Sequence, residues 1–134
     1  MYLFDTDVIS NIFKPHPSEL LLGKLGRLEQ RDQYISTITI KEIVYGAVKS
    51  DRTEYHLRNL EELLLPSVNI ASFDTKAAFI CGHLRAALER QGRTLSLADM
   101  EIAAIAMANN FTLITGNIKH FERVKGLKLD NWLP

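Results

Sequence analysis

Leu97-Ala98-Asp99-Met100-Glu101-Ile102-Ala103-Ala104-Ile105-Ala106-Met107, followed within a few residues by Thr112-Leu113-Ile114-Thr115, is the stretch on which the fold turns. Its first part is apolar on almost every side of a helix, broken only by Asp99 and Glu101. It therefore predicts a helix covered by neighbours on more than one face. Its second part is short, apolar and β-branched, as a buried strand requires. A buried helix feeding a buried strand belongs to the α/β class, in which helices flank a central, mostly parallel sheet.

The rest of the chain repeats that alternation. Tyr2-Leu3-Phe4 predicts a first strand ending at Asp5, and Gln33-Tyr34-Ile35-Ser36 predicts a second; Val68-Asn69-Ile70 and Leu127-Lys128-Leu129 are briefer strands. A helix capped by Thr6 or Asp7 is expected to run through Ile9, Ile12 and Phe13 until Lys14-Pro15-His16-Pro17 breaks it. After Ser18, Leu21, Leu22, Leu25 and Leu28 recur at helical spacing. Further helices are expected from about Thr39 to Lys49, from about Arg52 to Leu65 before Pro66, and from Asp74 or Thr75 to near Gly92. No repeat, low-complexity tract or long linker divides the sequence. Residues 1–134 are accordingly expected to form a single domain, a sandwich of helix, sheet and helix.

Lys+Arg and Asp+Glu number 16 each, so the formal net charge is zero. The chain as a whole attracts no polyanion, and any nucleic-acid contact must rest on a local patch. Arg85, Arg90, Arg93, Lys119 and Arg123 are the candidates, although basic residues on a helix face are most often simply solvated. Cys81 is the one cysteine, which excludes an internal disulfide and a cysteine-based zinc cluster. Its apolar neighbours mark it as a small buried helix residue rather than a catalytic thiol. No basic leader precedes the first apolar stretch, which Asp5 and Asp7 interrupt, so no signal peptide is expected. No apolar run reaches the length of a membrane span. The chain reads as cytoplasmic, without membrane contact.

Four acid or amide positions stand beside the apolar segments: Asp5, Glu42, Asp99 and Asn117. Each has an ordinary explanation. Asp5, between strand and helix, suits an Asx turn or a cap. Thr39-x-x-Glu42 matches a capping box, Ser96-x-x-Asp99 is a similar arrangement, and Gly116-Asn117 is a turn signal. Asp99 resists its ordinary explanation most, because Ile102, Ala103 and Ala106 place it over an apolar stripe where an acid needs a partner. Glu42 is evenly balanced; Ile38, Tyr45 and Gly46 share its face, which is expected to be partly buried. If the four converge, an all-oxygen donor set suits a hard divalent cation, Mg²⁺ or alternatively Mn²⁺. Asp7 could add the charge that Asn117 lacks. Thr6 and Thr115 could hydrogen-bond the carboxylates. Glu101 is either a supplementary ligand or a solvated or interface residue, and His120 either a phosphate contact or a packing or surface histidine.

Four motifs follow one another along the chain: Leu3-Phe4-Asp5-Thr6-Asp7-Val8-Ile9-Ser10, Ile40-x-Glu42-Ile43-x-Tyr45-Gly46-Ala47, Ala98-Asp99-x-x-Ile102-Ala103-Ala104-x-Ala106 and Leu113-Ile114-Thr115-x-Asn117-x-x-His120-Phe121. In that order they resemble the signatures of PIN domains, above all VapC- and FitB-type toxins of bacterial type II toxin–antitoxin modules. The likeness extends to Gly126-Leu127-x-x-x-x-Asn131-Trp132, essentially the whole chain. It implies a three-layer PIN-like sandwich and a Mg²⁺-dependent endoribonuclease, with tRNA a common target class. It also implies a cognate VapB-like antitoxin, a homodimer and a toxin–antitoxin hetero-oligomer. Carried over residue by residue, Asp5, Glu42 and Asp99 take the places of the catalytic, metal-holding acids. Asn117 takes the fourth place, acidic in many relatives, and Asp7 stands where asparagine is more usual. The alternative is a FitB-like DNA-binding or regulatory partner with weak or no cleavage. Acids at strand ends also serve phosphoacceptor domains, with Asp5 the residue modified, but no suitably placed strand-end lysine accompanies it here.

Overall fold

The computed structural model describes residues 1–134. Five short strands, β1 (Tyr2–Phe4), β2 (Gln33–Ser36), β3 (Asn69–Ala71), β4 (Thr112–Ile114) and β5 (Lys128–Asp130), form one sheet in the order β3-β2-β1-β4-β5. Every pairing is parallel, so the sheet is wholly rather than mostly parallel. The chain builds outward from β1 through β2 to β3, then crosses back to lay β4 and β5 on the other side of β1. That reversal, between β1 and β4, is where a parallel sheet opens a crevice at the carboxyl ends of its strands.

Helices α1 (Thr6–Ile12) and α2 (Glu19–Leu25) follow β1, and α3 (Thr37–Lys49) and α4 (Thr53–Arg58) follow β2. Helices α5 (Thr75–Arg90) and α6 (Leu97–Ala108) join β3 to β4, and the one-turn α7 (Ile118–Phe121) precedes β5. Successive strand residues face opposite ways, and the core divides accordingly. Leu3 and Leu113 enter a cluster with Ala77, Cys81, Leu88 and most of α6. Phe4, Ile35 and Ile114 enter a second cluster with Val8, Ile9, Leu21 and Leu60. The sheet is thus the middle of three layers. Ile102 through Ala106 are all fully buried, which is why α6 carries so little polarity.

Side-chain caps set where the helices begin, and two of them correct the sequence reading. Asp5 itself, not Thr6 or Asp7, caps α1, its Oδ1 accepting from Thr6 N at 2.8 Å. Ser36 caps α3 by accepting from Thr39 N at 3.0 Å, so Thr39 already lies inside the helix and Thr39-x-x-Glu42 is no capping box. The Ser96 hydroxyl does accept from Asp99 N, at 3.1 Å. The segment expected as a helix from Arg52 to Leu65 is helical throughout but changes type: α4 ends at Arg58, Asn59–Leu64 form wide π-type turns, and Leu65–Ser67 a 3-10 turn. Pro66 explains why the helical segment ends there, because it has no N–H to continue the ladder and its ring crowds the carbonyl one turn back. Strands β3 and β5 each lie one residue later than expected, their positions decided by pairing with β2 and β4. No helix is long and apolar enough to cross a membrane.

Candidate active site

Phe4 pairs with Ile114, so the residues that follow them, Asp5 and Thr115, meet at the switch point. Asp5 N donates to Ile114 O at 2.9 Å. Thr115 Oγ1 donates to Asp5 Oδ2 at 2.8 Å, and the Thr6 N–H occupies the other carboxylate oxygen. Asp5 is 7% exposed and Thr115 fully buried. Burial pushes the Asp5 carboxyl up to about 7; the carboxylates of Asp7 and Asp99 add to the rise, and the hydrogen bonds from Thr115 and Thr6 oppose it.

Glu42 enters the same corner from α3. Thr6 Oγ1 donates to Glu42 Oε1 at 2.6 Å, a short, charge-assisted bond. Behind it, Thr6 Oγ1 and Thr39 Oγ1 lie 3.0 Å apart, and Ser36 Oγ donates to Thr39 Oγ1 at 3.3 Å. A hydroxyl has one proton to give. Thr6 gives its proton to Glu42, so Thr39 must donate to Thr6, and the relay runs one way, from Ser36 to the carboxylate. Sequence reading missed this relay. The sequence carries only the spacing Ser36-x-x-Thr39 at the end of a strand; that both are fully buried where the helix leaves the sheet is visible only in the fold.

Asp99 sits in the first turn of α6, half-buried above the buried Ile102, Ala103 and Ala106. Asp7, exposed on α1, accepts from Gly116 N at 2.9 Å through Oδ2. Asn117 is exposed; Thr115 Oγ1 accepts from its N–H at 3.0 Å, and its side chain makes no capping bond to α7. The face shared by Glu42 is less covered than expected, since Ile38 is buried but Tyr45 is 63% exposed and Gly46 is exposed. Glu101 is half-buried on α6, and the Cys81 thiol is pushed up by burial first and then by the Glu101 carboxylate. His120 is exposed on α7. Of the basic candidates, Arg123 Nη1 donates to Thr94 O, Arg85 pairs loosely with Glu89 at 3.8 Å, and Arg90, Arg93 and Lys119 are exposed.

A cleft of about 430 Å³ opens beside Thr6 and Glu42, walled by Ile9, Phe13, Ile43 and Leu60. No three His, Cys, Asp or Glu side chains stand together as a ready-made metal cage. The donors are nevertheless all oxygens. A buried carboxylate whose proton affinity two other carboxylates raise is the electrostatic condition that a hard divalent cation relieves. The donor set therefore fits such an ion, with the half-buried Asp99 and Glu42 required to close toward Asp5.

The profile of the PIN domain matches residues 2–127. The chain belongs to the PIN-domain family. Ribonuclease VapC2 of Rickettsia felis is similar to this PIN domain, 33% identical over 132 residues and 98% of each chain. So is the tRNA(fMet)-specific endonuclease VapC of Salmonella typhimurium, 35% identical over 131 residues, 98% of this chain and 97% of that one. Among solved structures, VapBC2 from Rickettsia felis bound to a DNA fragment from its promoter gives a TM-score of 0.90 at 34% identity, covering 98% of both chains. FitAcB from Neisseria gonorrhoeae gives 0.89 at 29% identity, covering 98% of this chain and 97% of that one. The PIN resemblance and the three-layer fold expected from it are both borne out.

Proposed function

We propose that this PIN domain is an endoribonuclease dependent on a divalent cation, Mg²⁺ or Mn²⁺, and the toxin partner of a VapB-like antitoxin. The observation that carries the reading is the buried Asp5 carboxylate at the switch point, with further carboxylates around it that do not themselves form a closed cage. Asp5 is buried between two hydrogen-bond donors, Asp7 and Asp99 are near enough to raise its proton affinity, and Glu42 is tied in through Thr6. The names of the relatives, a ribonuclease and a tRNA-specific endonuclease, support RNA as substrate and tRNA as the class to try first.

Asp5 and Asp99 would hold the cation, with Glu42 completing the set and Asn117 and Asp7 at its margin. When bound, the ion supplies neutralising charge to the phosphodiester and a more acidic water as nucleophile. The remaining work belongs to the chain. Thr115 and Thr6 N–H fix the direction of the Asp5 oxygens, and the Ser36–Thr39–Thr6 relay stops Glu42 from swinging into solvent. Lys119 and His120 stand exposed beside Asn117, available to a phosphate group. The apolar cleft beside Glu42 suits a hydrophobic antitoxin segment, whose docking would cover the site. Tyr45, Val48 and Phe79, each more than 60% exposed, leave apolar surface for a homodimer or a larger toxin–antitoxin complex to cover.

A second reading is a FitB-like regulatory partner that acts on DNA only within its complex. The likeness to FitAcB and to a complex bound to promoter DNA favours it, and a net charge of zero agrees with DNA contact supplied by the partner. The deciding experiment incubates antitoxin-free protein with tRNA and total RNA, with Mg²⁺, Mn²⁺ or chelator, beside Asp99→Asn. Metal-dependent fragments that fall by at least about 100-fold in the variant are expected. Intact RNA from folded, metal-bound protein would favour the second reading. Equal cutting by Asp99→Asn would refute the site.

A further inference from the structure

The turn that carries Thr115 and Asn117 is gripped from two sides. On one side Asp7 Oδ2 accepts from Gly116 N at 2.9 Å. On the other stands Leu133: a Cβ placed on Gly116 would meet Leu133 Cδ1 at 2.7 Å and Asp7 Oδ2 at 2.8 Å, well inside ordinary non-bonded contact. Leu133 is held there by its neighbour. Trp132 is 4% exposed, its ring 4.9 Å from that of Tyr2 and 5.8 Å from that of Phe4, with Lys24 Nζ 5.2 Å from its centroid. Its indole N–H donates to Asp130 Oδ2 at 3.0 Å, and Ser18 Oγ donates to its carbonyl at 3.3 Å. Ser18 N in turn donates to Asn11 Oδ1 of α1 at 2.8 Å. The contacts close a ring, from Asp7 and Asn11 on α1 through Ser18, Trp132 and Leu133 to Gly116 and back to Asp7.

We propose that Asp7 and Leu133 are positioning residues that clamp the Gly116 turn, keeping Thr115 on Asp5 and Asn117 at the mouth of the site. Its catalytic consequence rests on the nuclease reading; the clamp itself does not. Thr115 Oγ1 donates to Asp5 at 2.8 Å while accepting from Asn117 N at 3.0 Å, so a displaced turn is felt directly at the Asp5 carboxylate. Glycine at 116 is what lets the clamp shut. Gly116→Ala is a selective probe, because the two atoms in its way are the ends of flexible side chains. The fold can yield at small cost, but yielding turns Asp7 away from the amide and lifts Leu133 off the turn.

The test measures amide hydrogen exchange at residues 116 and 117, each against its intrinsic rate, together with thermal unfolding and RNA cleavage kinetics. The variants are Gly116→Ala, Leu133→Ala, their double, Asp7→Ala and Asp7→Asn. Gly116→Ala and Leu133→Ala should each speed exchange at both amides by about tenfold or more, with α6 amides and Tm little changed. Asp7→Ala should expose amide 116, whereas Asp7→Asn, which keeps an oxygen acceptor, should protect it. The double variant should be no worse than the worse single, because both open one clamp. In cleavage, kcat should fall about tenfold in Gly116→Ala with KM unchanged. Unchanged protection in Gly116→Ala and Leu133→Ala overturns the clamp, as does a loss spread evenly over the sheet and α6. Lost protection with undiminished kcat overturns the positioning role. If the wild-type chain cuts no RNA, the exchange data still decide the clamp, and the nuclease reading falls alone.

Discussion

Asp5 serves as helix cap, as acceptor for a buried hydroxyl and as the most enclosed carboxylate of the site. Its enclosure weighs on stability. The carboxyl is raised from an ordinary 3.8 to about 7, so the native state binds this proton more tightly than the unfolded chain does. The resulting stability is complete below pH 3.8, declines between about 4 and 7, and is gone above 7; a displacement of that size corresponds to roughly 4 kcal/mol. Asp5→Asn has no such proton to lose. Without metal, the variant should unfold at higher denaturant than wild type at pH 8, with the gap closing toward pH 4. Added Mg²⁺ or Mn²⁺ should narrow the gap at pH 8 by stabilising only the wild type. Parallel pH–stability curves for the two proteins would show that burial of Asp5 carries no penalty. The identity of this residue as special was legible in sequence, from an acid closing an apolar strand. Its partner Thr115 was legible only as a donor type, because nothing local says which strand lies beside β1.

Helix α6 shows what periodicity conveys and what it omits. A segment apolar on every side predicted full cover, and Ile102 to Ala106 are indeed at zero exposure between the sheet and α5. Ile105→Ala should cost about 2–5 kcal/mol in chemical denaturation, through lost burial and an unfilled cavity. It should also impair cleavage wherever α6 shifts enough to move Asp99. A cost below about 1 kcal/mol would mean that the helix is less tightly packed than its burial indicates. The beginnings of helices were less legible than their bodies. Thr39 reads as the cap and Ser36 only as the end of a strand, and the geometry of the strand exit shows instead that Ser36 is the cap and Thr39 a link in the hydroxyl relay. The stretch before Pro66 reads as one helix because its apolar spacing is helical, and it stays helical, but its later turns are wider and bond one residue further along, which spacing alone does not reveal.

The whole molecule brings residues from α1, α3, α6 and the β4–α7 turn around the carboxyl ends of the central strands β1 and β4. The ordered motifs made that gathering legible as a family pattern, but the strand order that produces it is not written in any local stretch. The exposed Tyr45, Val48 and Phe79 belong to this scale too. Sedimentation of the isolated chain should give twice the chain mass at micromolar concentration, and a monomer throughout would remove the homodimer from the reading. The sheet order also sets a timetable. β1 is made before β4, which alone completes it on one side, and Asp5 waits for a hydroxyl 110 positions downstream. At ordinary rates of translation that delay lasts roughly 5–20 seconds. A nascent chain threaded through the ribosome, surrounded by RNA, therefore carries its first acid but no working centre. Until the hydroxyl of Thr115 emerges and β4 docks on β1, the corner that would hold a cation has no floor.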